Sequence, residues 1–117
     1  MKVAKMDRIN RSVEYYNVTR FSMEVTLSES EISGNSYLFY TLTGRTDLRG
    51  NVVAFASYVL DDEETLHDLL ELVQKLNDDI HMYDFKAEPD SICAQECAVR
   101  VQSLLDRMQT IYGAIVY

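Results

Sequence analysis

The chain has 117 residues, 47% of them hydrophobic and 26% charged, with a net charge of −8; this composition fits one folded domain and excludes a disordered chain. No window approaches the roughly 20 apolar residues that span a bilayer, and the opening MKVAKMDRIN lacks the apolar core of a secretory signal. Residues 1–59 hold seven Lys/Arg against six Asp/Glu and residues 60–117 four against thirteen, so the second half is acidic and repels phosphate-rich nucleic acid and anionic membranes.

In chain order, residues 1–12 read as an edge strand, with a short basic helix lined by Val3, Met6, Ile9 and Val13 as the competing pattern. From Thr19 to Leu27 the chain alternates, with Phe21, Met23, Val25 and Leu27 on one side and Arg20, Ser22, Glu24 and Thr26 on the other. That period of two marks a half-buried strand. Val13 and Tyr15 continue the parity and extend the alternation upstream. SYLFYTLT (36–43) is rich in strand formers, and NVVAFASYVL (51–60) reads as a strand buried on both faces. Gly34-Asn35 supplies one turn, and GRTDLRG, bracketed by Gly44 and Gly50, supplies the next. Such short connections predict an antiparallel meander.

After Leu60 the spacing becomes helical. Leu66, Leu69, Val73, Leu76 and Ile80 recur every three or four residues, and Asp61 or Asp62 can cap the helix start. HMYDFKAEPD (81–90) reads as a loop. A second helix is predicted from about Ser91 to Tyr112, with Cys97, Val101, Leu104, Met108 and Ile111 inward and Gly113 as its stop. The expected architecture is a single α+β domain over 1–117: an antiparallel meander of three to four strands in the N-terminal half, with two C-terminal α-helices packed on one face. The apolar ending GAIVY requires cover from a sheet edge, the core or another subunit.

Three groups of side chains suggest sites. Glu64, Asp68, Glu71 and Asp78 fall on the polar side of the first helix, where neighbours three and four apart stand roughly 5–6 Å from one another. They are either a solvated face or a docking ridge for a basic protein. Duplex DNA carries about one charge per 1.7 Å, far denser than this ridge, which Lys75 interrupts, so the ridge alone does not mimic DNA. Arg45 and Arg49, with Tyr37, Tyr40 and Tyr58 on adjacent strands, form the alternative: guanidinium forks for a nucleotide or small anion, and rings for stacking. The spacing matches no P-loop or Rossmann fingerprint, and a hairpin loop with solubilising arginines accounts for it equally well. Cys93, Cys97, His67 and His81 offer four zinc-ligand side chains without zinc-knuckle spacing, and read as packing thiols plus two scattered histidines.

No nucleophile–base–orienter pattern is present, so no catalytic residue, cofactor or metal is expected. Two cysteines four apart in a helix make no disulfide framework, which places the chain in a reducing cytoplasm. The expected function is a small acidic protein–protein interaction module of the inhibitor, immunity or anti-defence type. It would dock on a larger, basic or nucleic-acid-handling protein without binding nucleic acid or membrane itself. The apolar tail and a sheet face away from the helices, rich in Tyr, Phe, Thr and Arg, further suggest a homodimer.

Overall fold

A computed structural model describes residues 1–7, 10–29, 34, 36–47, 49–60, 62–86, 92–111 and 115–116. Strand β1 (Lys2–Asp7) turns at Arg11, where φ is 51°, and pairs antiparallel with β2 (Ser12–Asn17). Residues 2–7 are therefore a strand, as expected, although β1 and β2 form a two-stranded sheet of their own. Val13 and Tyr15 belong to this hairpin and not to an upstream extension of the next strand. The chain crosses over at Val18, which is fully buried and donates its N–H to the Met1 carbonyl at 2.7 Å. The Met1 amino group donates in return to Val18 O at 3.0 Å and to Asn17 Oδ1 at 2.8 Å. Burial strips its hydration and holds its pKa below the usual 8.0, against the attraction of Asp84.

The main sheet is the anticipated meander. Strands β3 (Arg20–Glu29), β4 (Ser36–Arg45) and β5 (Val52–Val59) run antiparallel in that order, and β6 (Ile115–Val116) adds a fourth strand beside β5. The tail thus finds backbone partners in its own chain, at Ser57 and Ala56. Along β4–β5 the register slips between Leu42, opposite Ala56, and Thr43, opposite Ala54. Phe55 is the extra residue of this β-bulge. Its ring turns into the core and meets Phe21 edge-on, with centroids 5.5 Å apart. Close beside it, a Cβ on Gly44 would stand 2.9 Å from the Phe55 ring and 3.2 Å from Val18, so any side chain there pushes the ring out of its place. The strand expected to be buried on both faces is so only in its middle: Phe55 to Tyr58 are all buried, whereas Val52 and Val59 at its ends are exposed.

Both helices follow. Helix α1 (Glu63–Lys86) starts at Asp62, whose carboxylate accepts from Thr65 N–H at 2.6 Å. That bond holds the Asp62 pKa below its usual 3.8. Asp61, the other candidate cap, lies outside the described residues. Residues 81–86 are helical, which corrects the loop expected there. Tyr83 continues the 3-4 stripe of Leu76 and Ile80, and no Gly or Pro interrupts it. Helix α2 (Ile92–Ile111) buries Ala94, Cys97, Val101, Leu105 and Met108; Leu105 takes the fully buried place expected for Leu104, which is partly covered. Leu69, Val73, Leu76 and Ile80 of α1 complete the core against Phe21, Leu42, Phe55 and Tyr58.

Side-chain amides tie the helices to the strands. Asn77 on α1 accepts from Phe21 N–H at 2.8 Å and donates to Phe21 O at 2.9 Å. Gln102 on α2 does the same at Ala4, at 2.8 and 3.2 Å. A third amide, Gln109, donates to Phe55 O at 3.3 Å, and Tyr58 donates its hydroxyl proton to Met108 O at 2.9 Å. Strand backbone that would otherwise be buried without a partner is thereby satisfied. The molecule extends 53 × 34 × 28 Å.

Candidate functional site

The buried stripe of α1 fixes where its carboxylates go. With Leu69, Val73, Leu76 and Ile80 turned into the core, Glu64, Asp68, Glu71 and Asp78 fall on the opposite side, and all four are exposed. The ridge runs about 21 Å at 1.5 Å per residue, with Lys75 within it. Its internal contacts are slight: His67 Nδ1 lies 3.7 Å from Glu71, and Gln74 donates to Asp78 at 2.9 Å. Among the described residues, no Lys or Arg comes within salt-bridge distance of any of the four. The ion pair nearest the ridge, Arg100 to Asp79 at 2.9 Å, sits between the helices. That bond raises the Arg100 pKa, chiefly through the hydrogen bond and then through the charge of Asp79. His67, Asp68 and Glu71 bring possible ligand atoms within 4.8 Å of one another. All three are exposed, and such spacing arises on any acidic helix.

The alternative ligand set is spread out. Arg45 ends β4 and Arg49 lies in the following loop, both exposed. That loop is organised by Asp47, which accepts from Arg49 N–H at 2.8 Å and from Asn51 at 3.2 and 2.8 Å. Tyr58 is 1% exposed, and its hydroxyl is engaged by Met108, so it offers no stacking face. Tyr40 is half-buried beside Leu60 and Leu66 at the start of α1, on the helix-facing side of the sheet. Tyr37 stands at the far end of β4, about 27 Å along the strand from Arg45 at 3.3–3.4 Å per residue; its side chain lies outside the described residues. The structure therefore separates arginines from tyrosines, and gives Arg45 a different neighbour, Arg20, directly across the ladder. The zinc reading fares no better. Cys97 is buried beside Arg100, at 3.2 Å, while His67 and His81 are exposed on α1. The side chain of Cys93 is outside the described residues.

Two features went unread in the sequence. One is a groove of about 510 Å³ between the helices, lined by apolar Leu72 and Leu104 and by charges of both signs, Lys75, Arg100 and Arg107 with Asp78 and Asp79. The other is the outer part of the β3–β4 hairpin. Val25, Leu27 and Leu38 share the face that buries Phe21 and Leu42, yet are 59, 63 and 45% exposed. Alternation marked Val25 and Leu27 as core-facing, and nothing local to the strand shows where the helices stop. No family model, curated protein or solved structure matches this chain.

Proposed function

We propose that the chain is a small acidic protein–protein interaction module of the inhibitor, immunity or anti-defence type. In this reading it works in the cytoplasm as a homodimer and docks through α1 on a larger basic or nucleic-acid-handling protein. The observation that supports it is the ridge itself: Glu64, Asp68, Glu71 and Asp78 point to solvent on one side of a single helix, with no Lys or Arg among the described residues paired to them. Unpaired surface charge of one sign steers a partner of the other sign and fixes orientation more than it adds affinity. Binding should therefore weaken steeply with salt, because the Debye length falls to about 8 Å at physiological ionic strength. No described helix is long and apolar enough to cross a membrane.

Charge reversal tests this directly. The tagged chain is recovered from its host with whatever binds it stoichiometrically, alongside Asp68→Lys/Glu71→Lys/Asp78→Lys and, separately, Arg45→Glu/Arg49→Glu. The expected outcome is loss of the partner with the ridge variant and retention with the arginine variant. Retention with the ridge variant removes α1 as the docking surface, and loss with the arginine variant alone restores the small-anion reading.

A further inference from the structure

Phe21 settles which way the β3 backbone points. Both its N–H and its C=O bind Asn77, so they face away from β4. Backbone groups of an antiparallel strand alternate in direction, so Met23, Val25 and Leu27 also present theirs outward. β3 is an edge strand, and among the described residues nothing pairs with it beyond Phe21. The exposed Val25 and Leu27 side chains stand on this same stretch. An edge with exposed apolar side chains and outward backbone groups is a template for another strand.

We propose that the strand it takes is β3 of a second copy, antiparallel across a two-fold axis at Val25, joining two four-stranded sheets into one. This rests on the homodimer reading above and gives that dimer its surface. Charge selects the occupant. Each copy carries −8, and the acidity is concentrated on the helices, so two copies approach most easily where charge is sparse. From Phe21 to Leu27 the only charged residue is Glu24, and residues 36–44 carry none. Charge also selects the register. An axis at Val25 places Glu24 opposite Thr26 of the second copy and Met23 opposite its Leu27, whereas an axis at Glu24 sets two carboxylates face to face, which destabilises. Asn77, already seated on Phe21, ends the ladder on each side. A closed two-fold contact of this type uses the same patch twice and blunts both edges.

Sizing with light scattering across a concentration series tests the proposal. Wild type should dimerise, and Val25→Lys should be a folded monomer whose melting temperature does not depend on protein concentration. Val25→Pro deletes only an outward N–H, which edge strands tolerate, and should also be monomeric; if it fails to fold, Val25→Lys carries the test. Thr26→Lys creates two Lys–Glu24 pairs per dimer and should tighten it by about 2- to 30-fold, from cross-strand pair energies. A Thr26→Lys dimer no tighter than wild type overturns the register. A dimer that survives both Val25 substitutions overturns the edge while leaving the homodimer reading intact. A wild type that stays monomeric at high micromolar concentration overturns both, and leaves the edge to a strand of another protein.

Discussion

The two ends of the β3–β4 hairpin are built alike and end up in opposite environments. At the base, Phe21 and Leu42 are 1% and 0% exposed beneath the helices. At the tip, Leu27 and Leu38 share their face, their strands and their chemistry, and are exposed. Strand periodicity decides which side of a sheet a residue occupies. Whether that side is covered depends on where other elements cross it. Base and tip thus assign different work to similar residues: the base holds the domain together, while the tip is available to a partner.

The sharpest way to break this comparison is truncation at each end. Phe21→Ala should cost about 3–5 kcal/mol, a large part of the 5–15 kcal/mol that holds a typical domain together. Leu27→Ala should stay within about 0.5 kcal/mol in dilute solution. Equal losses in denaturant titrations would show that the tip is covered in the folded chain. Gly44→Ala comes next. Its new Cβ meets the Phe55 ring at 2.9 Å, an overpacking worth about 1–3 kcal/mol, and a neutral outcome would mean that the bulge yields easily. Asn77→Ala should cost about 1–3 kcal/mol by leaving the Phe21 N–H and C=O without their partner; Gln74→Ala, one turn away on the exposed side, is its control. The smallest expected effect is at Asp62. Its folded-state pKa lies below the ordinary 3.8, so its capping contribution is present above that value and fades as pH falls through the lowered one. Asp62→Ala should therefore melt slightly below wild type at neutral pH, and the two should converge in acid. A gap that persists in acid would assign the loss to something other than the carboxylate.

Much of the architecture was legible because it is periodic. The alternation in 19–27 and the 3-4 stripe from Leu66 to Ile80 each state their own geometry. Residues 81–86 were missed because a loop-like composition outweighed the single stripe position, Tyr83, that carries the helix onward. The bulge was hidden because one extra residue, Phe55, changes the parity of the inward side chains from Val53 to Ala56 and Tyr58; such a strand reads as uniformly apolar. Of the candidate sites, the ridge was legible, since helical spacing places Glu64, Asp68, Glu71 and Asp78 together without reference to anything else. The arginine–tyrosine set was not, because it depends on how two strands register and which face each ring takes. Asn77, Gln102 and Gln109 gave no signal at all. A half-buried amide that satisfies a strand looks in sequence like any solvated polar residue.

Those amides carry a kinetic consequence. Asn77 grips Phe21, and Gln102 grips Ala4, through backbone atoms alone, so each behaves as a latch indifferent to the strand's side chains. The Phe21 amide proton exchanges with solvent when its contact with α1 opens, and the Ala4 proton when its contact with α2 does. In native-state deuterium exchange these two protons become clocks for the separate undocking of the two helices. Matching rates would mean that the pair leaves as one unit, and different rates would reveal which helix opens first.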